Sequence, residues 1–191
     1  VDAGSKDGVR RIGVRSSGVT QANRLIEQRQ HPAGSVWIAY DFAGSDGRRD
    51  IFTFPLGPHE QSGDVPPFKP DAMRVMWSLP NGFPAYAVYD AAGQRLSAVP
   101  AGIEHAQLQQ SQASSPALGC ISCHDTGPRR AFDELRDSMA AGSGMQPRAV
   151  RDAVEALHRP DAEMLQVFTA DSRRFGEAMA AAGVDPDLRI D

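Results

Sequence analysis

The residues best equipped for chemistry stand together: both cysteines of the 191-residue chain and one of its five histidines lie within Gly-Cys-Ile-Ser-Cys-His, residues 119–124. Random placement would give a Cys-x-x-Cys-His run in about one such chain in 3,700, so the arrangement has a cause other than chance. On one helical turn, positions i, i+3 and i+4 share a face with about 5–6 Å between neighbours. Cys120, Cys123 and His124 can therefore address a single bulky group while Ile121 and Ser122 point elsewhere. The group that uses this spacing is haem c: each sulfur adds across one of two vinyl groups, and the adjacent imidazole ligates the iron.

Three rival uses fit less well. A thioredoxin-type dithiol needs its Cys-x-x-Cys where a strand enters a helix within a βαβ unit, and the surrounding sequence offers no such context. Zinc would need a fourth ligand at finger-like spacing, and an adjacent Cys and His rarely share one tetrahedron. A structural disulfide is the third, but a chain of this length buries about two-thirds of its unfolded surface and needs no such staple.

Cys120, Cys123 and His124 resemble the attachment site of c-type cytochromes. That resemblance implies one covalent haem c, His124 as the proximal iron ligand, and a periplasmic or otherwise extracytoplasmic location, where such proteins are matured. A wider set of segments, NRLIE (23–27), YDF (40–42), PLGP (55–58), LPNG (79–82) followed by AYAVYDAAGQR, then GCISCH and DSRRF (171–175), resembles a haem-bearing module of bacterial multidomain proteins whose function is not established. In that module a His-Asp pair stands just before the LPNG strand. Here the pair is Pro70-Asp71, so no iron ligand carries over from that position.

The distal ligand decides the chemistry: His/Met ligation favours electron transfer, and an open face permits ligand binding or peroxide chemistry. Met164, 40 residues after His124, has a separation resembling that in small class I cytochromes and is the first candidate; the alternative is a core position on an amphipathic helix. Met145, in GSGMQP, resembles their methionine loop more closely, but only 21 residues of chain would have to cross the haem. His31 and His59 are loop histidines that could cap the iron or simply be solvated. Met139 falls on a helical apolar stripe, and Met73 and Met76 in a strand are expected to face sheet or core. Arg129 and Arg130 could neutralise haem propionates, and Trp77, Tyr86 and Tyr89 could reach a haem edge, with solvated surface and strand packing as the ordinary alternatives.

Positioning the motif falls to the elements around it. Residues 1–17 read as a polar lead-in, and TQANRLIEQRQ predicts a short helix capped by Thr20 with Ala22, Leu25 and Ile26 on one side. SVWIAYDF (35–42) and IFTFPL (51–56), joined by AGSDGRRD, predict a strand pair. AMRVMWSL, AYAVYD and QRLSAV then predict a meander, and IEHAQLQQSQASSPA (103–117) a linker. Three helices follow: one led by Pro128 and carrying Phe132, Leu135 and Met139, one led by Pro147, and one ending at Gly183. The expected fold is α+β, a small N-terminal antiparallel β unit (1–110) followed by a helical cytochrome c-like haem domain (111–191).

Composition sets the outer limits. With 41% hydrophobic and 23% charged residues the chain is globular, and a net charge of −4 argues against nucleic acid or an anionic membrane surface as a partner. No run approaches the roughly 18 apolar residues of a membrane span, and VDAGSKDGVRR has no signal-peptide core, as expected after leader cleavage or inside a larger protein. The expected role is one-electron transfer by a mono-haem protein to a redox protein partner. The alternative is a five-coordinate or weakly capped haem enzyme or gas sensor, with the β unit as distal wall.

Overall fold

Alternation along the N-terminal hundred residues builds one antiparallel sheet whose strands follow chain order: β1 (Val9–Val14), β2 (Arg24–His31), β3 (Gly34–Asp41), β4 (Ala72–Ser78), β5 (Pro84–Asp90) and β6 (Arg95–Leu96). The computed structural model describes residues 8–105, 116–142 and 146–184. Together with four helices among the described residues, the sheet makes the α+β class expected. No helix among the described residues is long and apolar enough to cross a membrane.

Two expectations about the N-terminal region are corrected. The predicted helix over 20–30 is strand β2, paired on both edges, with Ile26 opposite Ile12 and Ala39. Both faces of β2 are covered: Leu25 and Glu27 are buried on one face, Gln28 on the other. Buried polar residues thus hide the period-2 pattern that would have marked a strand. The supposed polar lead-in contains β1, whose Ile12 and Val14 are core residues.

Residues 51–56 do not form a strand either. The Asp50 carboxylate accepts from the Phe52 amide and the Thr53 hydroxyl, and the Phe54 amide donates to the Asp50 carbonyl, which bends the chain into turns. Ile51 and Leu56 are nonetheless buried. The strands at β3, β4 and β5 and the short β6 agree with the meander read from sequence.

The two faces of the sheet carry different cover. On one, Leu25 and Tyr40 join Phe42, Ile51 and Phe68 from the connecting loops. On the other, Ile12, Val14 and Trp37 meet Met164 and Phe168 of the last helix. Each such fully buried large apolar side chain contributes about 1.5–3 kcal/mol. A further core joins Leu56 to Leu135, Met139, Val150 and Val154, so sheet-side and helical residues share cores across residue 110.

The helices are α1 (Pro116–Cys123), α2 (Glu134–Ala141), α3 (Arg148–Leu157) and α4 (Asp161–Ala181). Helix α2 begins at Glu134 rather than near Pro128. Its N-cap Asp133 accepts from the Leu135 and Arg136 amides and, at 2.7 Å, from the Gly13 amide, which ties the helix to β1. Phe132, expected on the apolar stripe, is 68% exposed, whereas Leu135 and Met139 are buried as expected. Helix α4 ends with Gly183 at φ +70°: its amide donates to Ala180 and that of Val184 to Met179, the paired bonds of a glycine-terminated helix. Residues 106–115 of the predicted linker lie outside the described residues; before them, Ile103 and Glu104 are buried, and Glu104 bridges Thr20.

Candidate functional site

Helix α1 lies against β5 and carries the motif on its last turn. The His124 amide donates to the Cys120 and Ile121 carbonyls, so the helical hydrogen bonding runs on through His124. Ile121 and Ser122 are exposed, while Cys120, Cys123 and His124 face one cavity. The three residues singled out by spacing are brought together as the i, i+3, i+4 argument requires. The cysteines are not bonded to each other.

The imidazole is oriented by the turn that follows it. His124 Nδ1 lies 3.0 Å from the Gly127 carbonyl oxygen, which can only accept, so Nδ1 carries the proton and Nε2 keeps its lone pair. Burial pulls the His124 pKa below its ordinary value, aided by Arg129 and Arg24 and opposed by the Gly127 hydrogen bond. The ring is therefore neutral near pH 7. Gly127 has φ +100°, and a Cβ there would stand 3.2 Å from Ser172 Cα in α4. Glycine is needed both for the backbone conformation and for the close approach that sets this carbonyl.

The sheet supplies the opposite wall. In register across the helix-covered face run Gln28, Trp37, Met76 and Tyr86, and beside them Ile26, Ala39, Arg74 and Val88. Of these, Ile26, Trp37, Ala39, Arg74, Met76 and Tyr86 line the cavity, joined by Phe168 from α4. Trp37 and Phe168 stack at 4.7 Å between ring centroids, and Trp37 Nε1 donates to Asp171 at 2.9 Å. The Tyr86 ring lies 5.9 Å from that of His124. The empty volume, open mouth included, is about 900 Å³.

One end of the cavity wall is charged. Asp41 pairs with Arg24 Nη2 and with Arg74 Nε, each at 2.8 Å, and Arg74 Nη1 reaches Glu104 at 2.9 Å. Burial pulls the Arg24 pKa down, against the opposing pull of Asp41. Arg24 Nε, Arg74 Nη2 and the Tyr86 hydroxyl are buried without a hydrogen-bond partner. Burial, with Cys120 nearby, pushes Tyr86 well above its ordinary value.

These residues fit a haem: two thiols and an acceptor nitrogen on one helical turn, an apolar and aromatic wall facing them, and buried donors lacking acceptors. The rivals fit less well. Burial pushes the Cys120 thiol up, the reverse of what a reactive dithiol needs. Among the described residues no three His, Cys, Asp or Glu side chains are grouped to hold a metal ion.

The distal candidates fare differently. Met164 is 1% exposed in the cluster of Ile12, Val14, Trp37 and Phe168; Trp37 and Phe168 also line the cavity, and Met164 does not. The expectation that Met164 caps the iron is therefore not met by its placement. Met145 lies outside the described residues. His31 accepts the Ala33 amide at the β2–β3 turn, His59 is exposed, and neither lines the cavity. Arg129 lines the cavity from an exposed position, and Arg130 is exposed.

Sequence reasoning missed Arg24, Ile26, Arg74 and Phe168 and set Met76 aside as core. The alternation Arg74-x-Met76 and Trp37-x-Ala39 could have marked the shared face; Arg24-x-Ile26 was hidden by the helical reading of β2. Asp71, at the position where the resembling module has its His-Asp pair, binds Arg49 and the Ala43 amide and takes no part in the cavity. Comparison with protein-family models, curated proteins and solved structures yields no match to this chain.

Proposed function

We propose that this chain is a mono-haem c-type cytochrome, carrying one covalently attached haem c and exchanging single electrons with a redox protein partner in the periplasm or another extracytoplasmic compartment. The observation that carries the reading is the convergence of Cys120, Cys123 and His124 on one cavity, with His124 Nδ1 committed to Gly127 and Nε2 left to bind. Bound there, the haem supplies a ferric/ferrous couple. Cys120 and Cys123 form the thioethers, the Gly127 carbonyl fixes the imidazole ring, and the wall of Trp37, Met76 and Phe168 excludes water from the opposite side. The cytochrome c-like character of the helical part rests on the attachment turn and the helices after it. The likeness to a haem-bearing bacterial module agrees with this reading.

A second reading, a five-coordinate or weakly capped haem that binds a small ligand, is favoured by one observation. Met164 is absent from the cavity wall, where Met76 is the only thioether among the described residues. Absorption spectra of the purified oxidised and reduced protein separate the two. Electron transfer predicts low-spin spectra in both states, lost to high-spin in Met76→Leu. The second reading predicts high-spin spectra in the wild type and binding of carbon monoxide or cyanide without denaturation.

A further inference from the structure

Two buried guanidinium groups at the cavity wall hold donors for which the described residues provide no aligned acceptor. Arg24 is 8% exposed in its side chain, pairs through Nη2 with Asp41, and leaves Nε without a hydrogen bond. Arg74 is 14% exposed and forms ion pairs with Asp41 through Nε and Glu104 through Nη1, while its Nη2 has no hydrogen-bond partner among the described residues. A buried donor left unsatisfied is destabilising, more so when charged. Both residues line the cavity that Cys120, Cys123 and His124 face. An acceptor entering the cavity would remove that cost, and a planar guanidinium matches a carboxylate best.

The rest of the wall gives direction to this chemistry. The row Trp37, Met76, Tyr86 is apolar and aromatic, whereas Arg74 stands in the next row, between Ala39 and Val88, and Arg24 lies alongside Asp41. The face therefore passes from apolar to charged along its strands, with guanidinium nitrogens that lack aligned acceptors at the charged end, a match for a molecule with an apolar body and a carboxylate edge. Resting on the haem reading above, we infer that Arg24 and Arg74 hold the haem carboxylates, and that they, rather than the exposed Arg129 and Arg130, are the cofactor's anionic anchor.

The test uses the haem-loaded protein as wild type, Arg24→Lys, Arg74→Lys and Arg74→Gln, read by reduction potential and by the propionate-bending bands of the resonance Raman spectrum. Removing the Arg74 charge lowers the ferric/ferrous equilibrium constant for reduction about tenfold, a fall of ~59 mV. The lysine variants keep the charge and so hold the potential near that of wild type, but they lose the planar fork and shift the propionate bands. Haem attached as in wild type, with bands unmoved in both lysine variants and the potential unmoved in Arg74→Gln, overturns the inference. Nitrite is the probe for a free anion in that place: affinity for ferric protein lost tenfold in Arg74→Lys, with unmoved propionate bands, overturns it too. A wild type that carries no covalent haem contradicts the underlying reading instead.

Discussion

On the loop-covered face of the sheet, Arg11 donates to Glu27 and to the Leu56 carbonyl, and Arg29 closes on the other Glu27 oxygen. On the helix-covered face, Arg24, Asp41, Arg74 and Glu104 form a second buried charge cluster of similar size. The first is complete: its contacts are aligned hydrogen bonds, and none of its side-chain atoms is buried without one. The second is joined by ion pairs, and among the described residues neither Asp41 oxygen and none of Arg24 Nε, Arg74 Nε and Arg74 Nη2 is in an aligned hydrogen bond. The difference teaches where the chain serves itself and where it serves something else. A finished cluster stabilises the sheet, and the unfinished one beside the cavity is where we propose that the haem carboxylates are held.

The comparison breaks most easily at Glu27. Glu27→Gln leaves Arg11 and Arg29 beside a neutral partner, and the expected loss in urea unfolding is about 3–5 kcal/mol, the same with and without haem. A loss that depends on haem would make the two clusters alike. Trp37→Phe, on the cavity face, removes the donor to buried Asp171 and is expected to cost about 1–3 kcal/mol by the same assay. An unchanged unfolding midpoint would mean that Arg174, whose Nη1 lies 3.6 Å from Asp171 Oδ1, suffices alone for that carboxylate.

Gly127→Ala sharpens the contrast between structural and ligand-directed groups. The positive φ costs about 1–2 kcal/mol for any side chain, and displacement of the carbonyl frees the His124 ring. The variant is expected to show a changed iron spectrum out of proportion to its stability loss; a stability loss with the wild-type spectrum would remove Gly127 from the site.

The smallest effect is expected at Asp133, a third charged group but one that does not line the cavity of Cys120, Cys123 and His124. Burial raises its carboxyl, yet the His158 hydrogen bond and charge and the Gly13 and Arg136 amides outweigh burial and hold it below the usual range. A depressed pKa adds stability above the unfolded value of about 3.9, and that stability is lost as pH falls through the folded value. Asp133→Asn should therefore cost about 1 kcal/mol at neutral pH, with the gap to wild type closing below about pH 4. A gap constant across that range would show that the charge contributes nothing.

Legibility in the sequence followed the distance over which each feature is encoded. Cys120, Cys123 and His124 were readable because one helical turn fixes their geometry locally; the Gly127 carbonyl that orients the imidazole belongs to the turn that follows. Strands β3 to β5 were readable from aromatic and β-branched runs between sharp turns. Strand β2 was not, because Glu27 and Gln28 are buried and paired instead of facing water. Arg24 and Arg74 stand 50 residues apart, and only the register through β3 brings them to one wall. Met164 misled for the opposite reason: its separation from His124 is suggestive, but α4 turns it into the core behind Trp37 and Phe168.

The most direct test is the intact mass of the chain after production in a host that matures c-type cytochromes, with thiol labelling under denaturing conditions. A gain of one haem per chain, with Cys120 and Cys123 both unreactive and both released only by thioether cleavage, is the predicted result. A chain of unmodified mass with two titratable thiols, or with a disulfide between them, would contradict the account.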